Sequence, residues 1–320
     1  MNEERIQWLK DRRTGIGGSD VAAILGMSKW KGPMDVYLSK LEEGEPDDTF
    51  PNDYAAWGTI LEAPIAQWFA SLHPEFAVEK PETAICRHQT LGFLIASPDR
   101  FVFDHAKQRV ALLEIKTASF SQLKSYQDGK IPEAYSLQIQ HTMNVCGISK
   151  AWLAVLVGGQ HYFEFPMDKD SMLCAEVEGR MAEFWKMVEN RTPPVLDGTV
   201  SCTRALEKIY DHPSKTAIVV DESGEAAKWI EKYKAADQRV KDAELSKIEA
   251  GNHLREIIGN NVGVDADKGG YASWKSQVRK GMDNALFKKE NPDLVKKYET
   301  STTIRVLRVV TKEEETNDPK

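Results

Sequence analysis

Cysteine is scarce in this chain, and long apolar runs are missing. The four cysteines (Cys86, Cys146, Cys174, Cys202) form no CxxC pair and no short repeat, which excludes a zinc finger or an iron–sulfur site on recognisable spacing. Reduced thiols acting as small buried hydrophobes fit such scatter. The longest uninterrupted apolar stretch, Ala151 to Val157, falls far short of a bilayer span. The N-terminus is polar and lacks a signal-peptide core, so a cytoplasmic location without membrane attachment is expected. No internal repeat is visible. Positive charge is also short overall: the formal net charge is −7 and the pI about 5.6. That sum argues against a generally sticky polyanion binder. Its distribution argues otherwise, because six bases lie between Arg5 and Lys31 against two acids, Asp11 and Asp20. Acids crowd instead between Glu42 and Asp53 and after Glu313.

What is present is an ordinary globular composition, 41% hydrophobic and 28% charged over 320 residues, enough for a sizeable core. Met1 to Arg12 reads as a short helix, followed by the Gly-rich turn Gly15-Ile16-Gly17-Gly18. Ser19 is placed to cap a second helix from Asp20 to Leu25. Tyr54 to Leu72 carries Trp57, Leu61, Ile65, Trp68 and Leu72 at helical spacing, with a bend expected at Pro64. Short β-branched or aromatic runs follow at 76–80, 83–87, 93–96, 100–103 and 110–117. A helix from Pro132 to about Cys146, strands at 151–157 and 161–166, and an amphipathic helix from 169 to 189 come next. Helices and strands in this mixed order predict an α/β (α+β) core, a mixed sheet flanked by helices.

Thr192-Pro193-Pro194 through Gly198 reads as a linker. The expected organisation is therefore a core over 1–192, an extension over 193–310 and a disordered tail over 311–320. In the extension, Ser223 to about Ile258 forms a long charged helix with Trp229, Tyr233, Ala236, Val240 and Ala243 on one side. A hairpin at 262–275, a helix at 284–298 and a strand at 302–310 complete the expectation.

The chemistry concentrates in Ser97-Pro98-Asp99 and, fifteen positions on from Asp99, Leu113-Glu114-Ile115-Lys116. On a strand, alternate side chains share a face, so Glu114 and Lys116 point together while Leu113 and Ile115 enter the core. Asp99, at the end of a neighbouring strand, can meet Glu114. Two carboxylates and a carbonyl are hard oxygen ligands suited to magnesium or manganese rather than zinc. A lysine beside them can polarise an attacking water and steady phosphate charge. An ExK triplet alone is more often a surface ion pair; Pro-Asp upstream shifts the balance toward a site. The carboxylates are expected at the end of the core rather than inside it. Glu62 lies in Gly58-x3-Glu62 on the helix, where most glutamates are simply solvated.

These blocks resemble the lambda exonuclease/YqaJ viral recombinase branch of the PD-(D/E)xK nucleases. The match runs in order through Trp8-x3-Arg12 with Gly15 to Asp20, Gly58-x3-Glu62, Ser97-Pro98-Asp99, Leu113 to Lys116, and Tyr135-x2-Gln138-Ile139-Gln140. The resemblance covers roughly the first 190 residues. It implies a restriction-endonuclease-like core in which Asp99, Glu114 and the Ile115 carbonyl bind metal. Glu62 would complete an acidic cluster for a second ion, with Lys116 and Gln138 addressing water and scissile phosphate. It further implies two Mg2+ ions per site, replaceable by Mn2+, and a terminal 5′-phosphate held by Arg12, Ser19 and Ser97. An arginine fork and a serine at a helix N-terminus suit an anion, although a plain N-cap accounts for Ser19 equally well. The implied activity is a phage-type 5′→3′ double-strand DNA exonuclease that makes single-stranded tails for recombination. An endonuclease with the same site and a DNA-binding scaffold without catalysis are the alternatives. Implied partners are double-stranded DNA with free ends, a phage single-strand annealing protein and further copies of the chain in a trimeric ring. The stretch after Pro194 has no counterpart in the compact exonucleases.

Overall fold

A computed structural model describes residues 3–41, 53–210, 224–278, 280–301, 307 and 309. The chain divides into two compact units, Met1–Asp211 and His212–Lys320. Within the first, α1 (Glu3–Arg13), α2 (Gly18–Ile24), α3 (Pro33–Leu41) and α4 (Asp53–Leu72) precede the strands. The strands are β1 (Ala77–Glu79), β2 (Cys86–Arg87), β3 (Ile95–Ala96), β4 (Arg100–Phe103) and β5 (Arg109–Ala118). Helices α5 (Leu123–Gln127) and α6 (Glu133–Cys146) lead to β6 (Lys150–Val157) and β7 (His161–Asp168), then to α7 (Ser171–Glu189) and α8 (Val200–Ile209).

Five strands make one mixed sheet in the order β1-β4-β5-β6-β7. Only β5 and β6 are parallel, with Glu114 opposite Leu153 and Lys116 opposite Val155; the other pairs are antiparallel. The parallel pair needs a crossover, and α6 supplies it. Pro132 sets the entry to α6, and Gly147, at φ 66°, ends it in a left-handed turn that an L side chain rarely adopts. Because the sheet is covered on both faces, β6 is apolar after Lys150, and β5 is apolar from Val110 to Leu113, rather than alternating. Leu112, Leu153, Val155 and Val157 pack with Ile139 and Met143 of α6. Leu113, Ile115 and Ala154 pack with Ile65 and Phe69 of α4 on the other face. A third cluster joins α2, α3 and α7 around Ile16, Val21 and Met181.

The expected mixed α/β core is what the chain forms, with several local differences. The helix expected over 54–72 forms as α4, with Pro64 inside it. Ser19 is not the N-cap of α2; Gly17 is, and its N–H donates to Asp20 Oδ2 at 3.1 Å. Helix α3 was not anticipated. The stretch after Pro194 also folds back: α8 packs against α3, and Gly32 N donates to Ser201 Oγ at 2.8 Å, so the first unit extends past the expected break at 192.

The second unit holds α9 (Glu225–Ile258), a β8–β9 hairpin (Gly263–Asp265, Tyr271–Ser273), α10 (Asn284–Glu290) and α11 (Pro292–Tyr298). One helix was expected where α10 and α11 lie. The break falls at Asn291, because proline disfavours helical backbone in the residue before it. The expected strand at 302–310 and tail at 311–320 lie almost wholly outside the described residues. Among the described residues, no helix is long and apolar enough to cross a membrane.

Candidate active site

The sheet and its two covering helices bring Glu62, Asp99, Glu114, Lys116 and Gln138 together. Glu114 and Lys116 share the β5 face that α6 covers. Glu114 is 1% exposed, so β5 carries its carboxylate inside the core and not at its end as expected. Its Oε1 accepts from Lys116 Nζ at 2.6 Å and from Gln138 Nε2 on α6. Its Oε2 is buried with no hydrogen-bond partner. A buried carboxylate oxygen left unsatisfied costs roughly 1–3 kcal/mol, more when charged.

Asp99 sits one residue before β4. Backbone pairing of β4 with β5 stops at Arg100 opposite Leu113, and beyond it Asp99 Oδ2 accepts the Ile115 N–H at 2.7 Å. Burial raises the pKa of this carboxyl well above the usual range, and the nearby Glu114 and Glu62 charges push it further, against the pull of Lys116. Burial works against the Lys116 ammonium, but Glu114 and Asp99 overcome it and raise its pKa, so it stays protonated. The ammonium also lies 5.4 Å from the centre of the Tyr135 ring. Glu62, on α4, is ion-paired with Arg100, a buried guanidinium that also donates to the Asp99 carbonyl. Arg100 gave no signal in the sequence beyond an ordinary charged strand residue.

An Asp99 carboxyl whose proton affinity is raised by burial and by the nearby Glu114 and Glu62 charges, beside a Glu114 oxygen that is buried and unsatisfied, has the chemistry a hard cation would relieve. Among the described residues, no three His, Cys, Asp or Glu side chains already converge as a metal cage. Glu62 is turned to Arg100 and one oxygen of Glu114 to Lys116 and Gln138. The donor set fits a hard divalent cation bound chiefly through Asp99 and the free oxygen of Glu114.

Arg12, Ser19 and Ser97 form a second cluster. Arg12 Nη2 donates to Ser19 Oγ at 2.6 Å, and its guanidinium lies 5.0 Å from the centre of the Trp8 ring. Trp8 Nε1 in turn donates to Ser97 Oγ at 3.1 Å, so Trp8 links the arginine to the residue two before Asp99. Beneath them, the buried Lys40 on α3 donates to Asp20 at 2.8 Å and to the Arg12 carbonyl at 2.9 Å. Burial opposes ionisation of Asp20, but Lys40 and Arg12 outweigh it and lower its pKa; for Lys40 burial prevails over Asp20, and its pKa falls as well. The short contacts and the second acceptor at Arg12 favour the ionised pair.

This cluster approaches the acidic site closely. A Cβ on Gly18 would stand 2.9 Å from Gln138 Cγ, so glycine there lets α2 pass against the helix that carries Gln138. The Gly-rich turn is itself held by Ile16, whose N–H donates to the Phe93 carbonyl at 2.7 Å and whose carbonyl accepts from Ile95 at 3.0 Å. Trp8, Asp20, Lys40 and Arg100 are the residues sequence reasoning did not assign to a site. Trp8, through its spacing to Arg12, and Asp20, at the end of the Gly-rich block, offered a signal; Lys40 and Arg100 offered none.

Comparison with known proteins adds the following. The family profile described as "YqaJ-like viral recombinase domain" matches residues 7–149. The chain is 30% identical over 308 residues to "Uncharacterized protein YqaJ" of Bacillus subtilis (strain 168), covering 94% of this chain and 92% of that one. Among solved structures, an alkaline exonuclease from Laribacter hongkongensis aligns with a TM-score of 0.47 at 20% identity, covering 63% of this chain and 98% of that one. A phage related exonuclease from Haemophilus somnus 129PT aligns at 0.38 and 13% identity, covering 55% and 94%.

Proposed function

The chain belongs to the YqaJ-like viral recombinase family, and from that premise and the geometry of the site we propose that it is a Mg2+-dependent DNA nuclease degrading double-stranded DNA from free 5′ ends. One observation carries the proposal: Glu114 is buried with an unsatisfied oxygen beside an Asp99 whose proton affinity is raised, while Lys116 stays protonated next to both. A divalent cation would satisfy the orphan oxygen and offset the repulsion among the carboxylates. Bound there, it would supply Lewis-acid activation of water and phosphate.

The chain's own residues do the rest. Lys116 would neutralise charge building on the scissile phosphate. Gln138 would fix the rotamer of Glu114, and Arg100 would hold Glu62 and Asp99 in place. Arg12 and Ser19, tied through Trp8 to Ser97, would receive a terminal 5′-phosphate, which favours exonuclease action over endonuclease action. The test is digestion of linear and covalently closed duplex DNA with magnesium, each 5′ end labelled in turn. Release of 5′ label from linear DNA alone is expected. Cleavage of closed circles would move the assignment to an endonuclease, and no cleavage of either form would refute a nuclease.

A further inference from the structure

Helix α9 contains 34 residues, about 51 Å of helix at 1.5 Å per residue. Only one of them, Ile258, is buried. Helices in globular proteins gain most of their stability by packing an apolar face, and α9 has such a face. Its residues recur with strict 3-4 spacing: Ala226, Tyr233, Val240, Lys247 and Leu254 at one heptad position (a), and Trp229, Ala236, Ala243, Ala250 and Ile257 at the other (d). Every seam residue but Lys247 is apolar. Trp229 is 58% exposed, Val240 56% and Ile257 65%. Leu307 and Val309 line a groove of about 410 Å³ with Trp229 and Tyr233, so they reach only the first turns of the seam. From Val240 onward it is open among the described residues.

A seam repeating every seven residues over more than four heptads matches a left-handed coiled coil. The charges flanking the seam select the occupant. The g positions carry Lys232 and Arg239, and the e positions carry Asp237 and Glu244. In a parallel pair in register, each g residue meets the e residue five positions on in the other helix. Lys232 then meets Asp237 and Arg239 meets Glu244, both attractive. In an antiparallel pair that overlaps the whole seam, g faces g and e faces e: Asp237 meets Glu244, while Lys232 and Arg239 meet His253 and Ser246, so both attractive pairs are lost. Asp237 is held at 2.9 Å by Lys241 in the single chain, but this exposed i,i+4 contact is weak enough to exchange.

We propose that α9 is a self-association surface whose occupant is the α9 helix of a second copy, parallel and in register. Lys247 at an a position disfavours slipped registers, in which it would oppose an apolar layer. The inference is independent of the nuclease reading, since it uses no residue of the first unit.

The test uses the full chain with Ala250→Cys at a d position or Asn252→Cys on the outer face, under mild oxidation with the native sequence as control. In a parallel pair residue 250 meets itself, whereas in an antiparallel pair it meets the opposite end of the seam. A disulfide-linked dimer is expected for Ala250→Cys and not for Asn252→Cys. In the Ala250→Cys background, Arg239→Glu is expected to slow cross-linking by about tenfold, and adding Glu244→Arg to restore it. No dimer at position 250, equal dimer at both positions, or a loss that Glu244→Arg does not restore would each overturn the proposal.

Discussion

Replacing Glu114 by Gln tests the cation site through stability as well as activity. In the wild type, Glu114 Oε1 has Lys116 and Gln138 as donors, while Oε2 has none. Removing the charge relieves a buried unsatisfied oxygen, worth roughly 1–3 kcal/mol, but weakens two charge-assisted bonds by a similar amount. Without metal, then, the variant and the wild type should unfold within about 4 °C of each other. With metal they should separate. A ligand at 100 times its Kd stabilises the native state by about 2.7 kcal/mol. For a unit the size of Met1–Asp211, each kcal/mol moves Tm by about 2–4 °C, so saturating magnesium should raise the wild-type Tm by about 5–11 °C. Glu114→Gln should gain little of this. The assay is thermal unfolding in chelator and in magnesium at matched ionic strength, with calcium as a second probe. DNA cleavage should be lost in the variant. An equal magnesium shift in both proteins, or none in the wild type at any magnesium concentration, would refute the reasoning that Glu114 holds the cation.

Other outcomes follow from the same geometry. Arg12→Ala should slow digestion of 5′-phosphorylated linear duplex by on the order of 10–100-fold and leave 5′-hydroxyl ends nearly unchanged; equal losses on both ends would remove the phosphate role. Lys40→Met leaves the buried Asp20 carboxylate with only the Gly17 N–H and the longer 3.7 Å contact to Arg12 and should cost up to roughly 3–5 kcal/mol, about 6–20 °C in Tm. The Asp20→Asn/Lys40→Met pair should recover most of that, and a double variant as unstable as the single would show that the pair is not what matters. His141 is buried on α6, its Nε2 3.0 Å from the Ile95 carbonyl, and burial lowers its pKa below 6.5. The folded state therefore favours neutral imidazole, and stability present above pH 6.5 should fall as pH drops below it. Denaturant titrations of His141→Gln should show a shallower decline over that range, and an unchanged slope would place the acid sensitivity elsewhere.

The central strands were legible because burial on both faces leaves the apolar runs Val110–Leu113 in β5 and Ala151–Val157 in β6. Proline and glycine punctuation marked both ends of α6. Glu114 and Lys116 could be paired on one face from the strand period alone, and Asp99 from its place one residue before a strand. Helix α3, outside the expected elements, nonetheless carries a signal in the sequence, Pro33 at its start with Met34, Tyr37, Leu38 and Leu41 at helical spacing. What the sequence hid are contacts between distant segments. Lys40 meets Asp20 across 20 residues and Arg100 meets Glu62 across 38. In each case a charge that reads as solvated is buried against one from another element. Ser19 looked like a cap because hydroxyls at helix starts usually are. Here Asp20 takes the capping N–H from Gly17, and the serine hydroxyl is left for Arg12.

The uneven partnering of Glu114 also gives the site a direction in which it can decay. Losing Lys116 first would leave Glu114 and Asp99 buried side by side without their cation, a change of roughly 3–5 kcal/mol that few folds of this size absorb. Losing Glu114 first removes the acid with the unsatisfied oxygen and leaves Lys116 the Asp99 charge nearby, so one buried acid rather than two depends on the lysine that is lost later. A copy released from selection for cleavage would thus be expected to lose the acid before the base. An intact lysine beside a missing Glu114 would mark an early stage of retirement, whereas a missing lysine beside an intact acid pair would point to a compensating change elsewhere in the core.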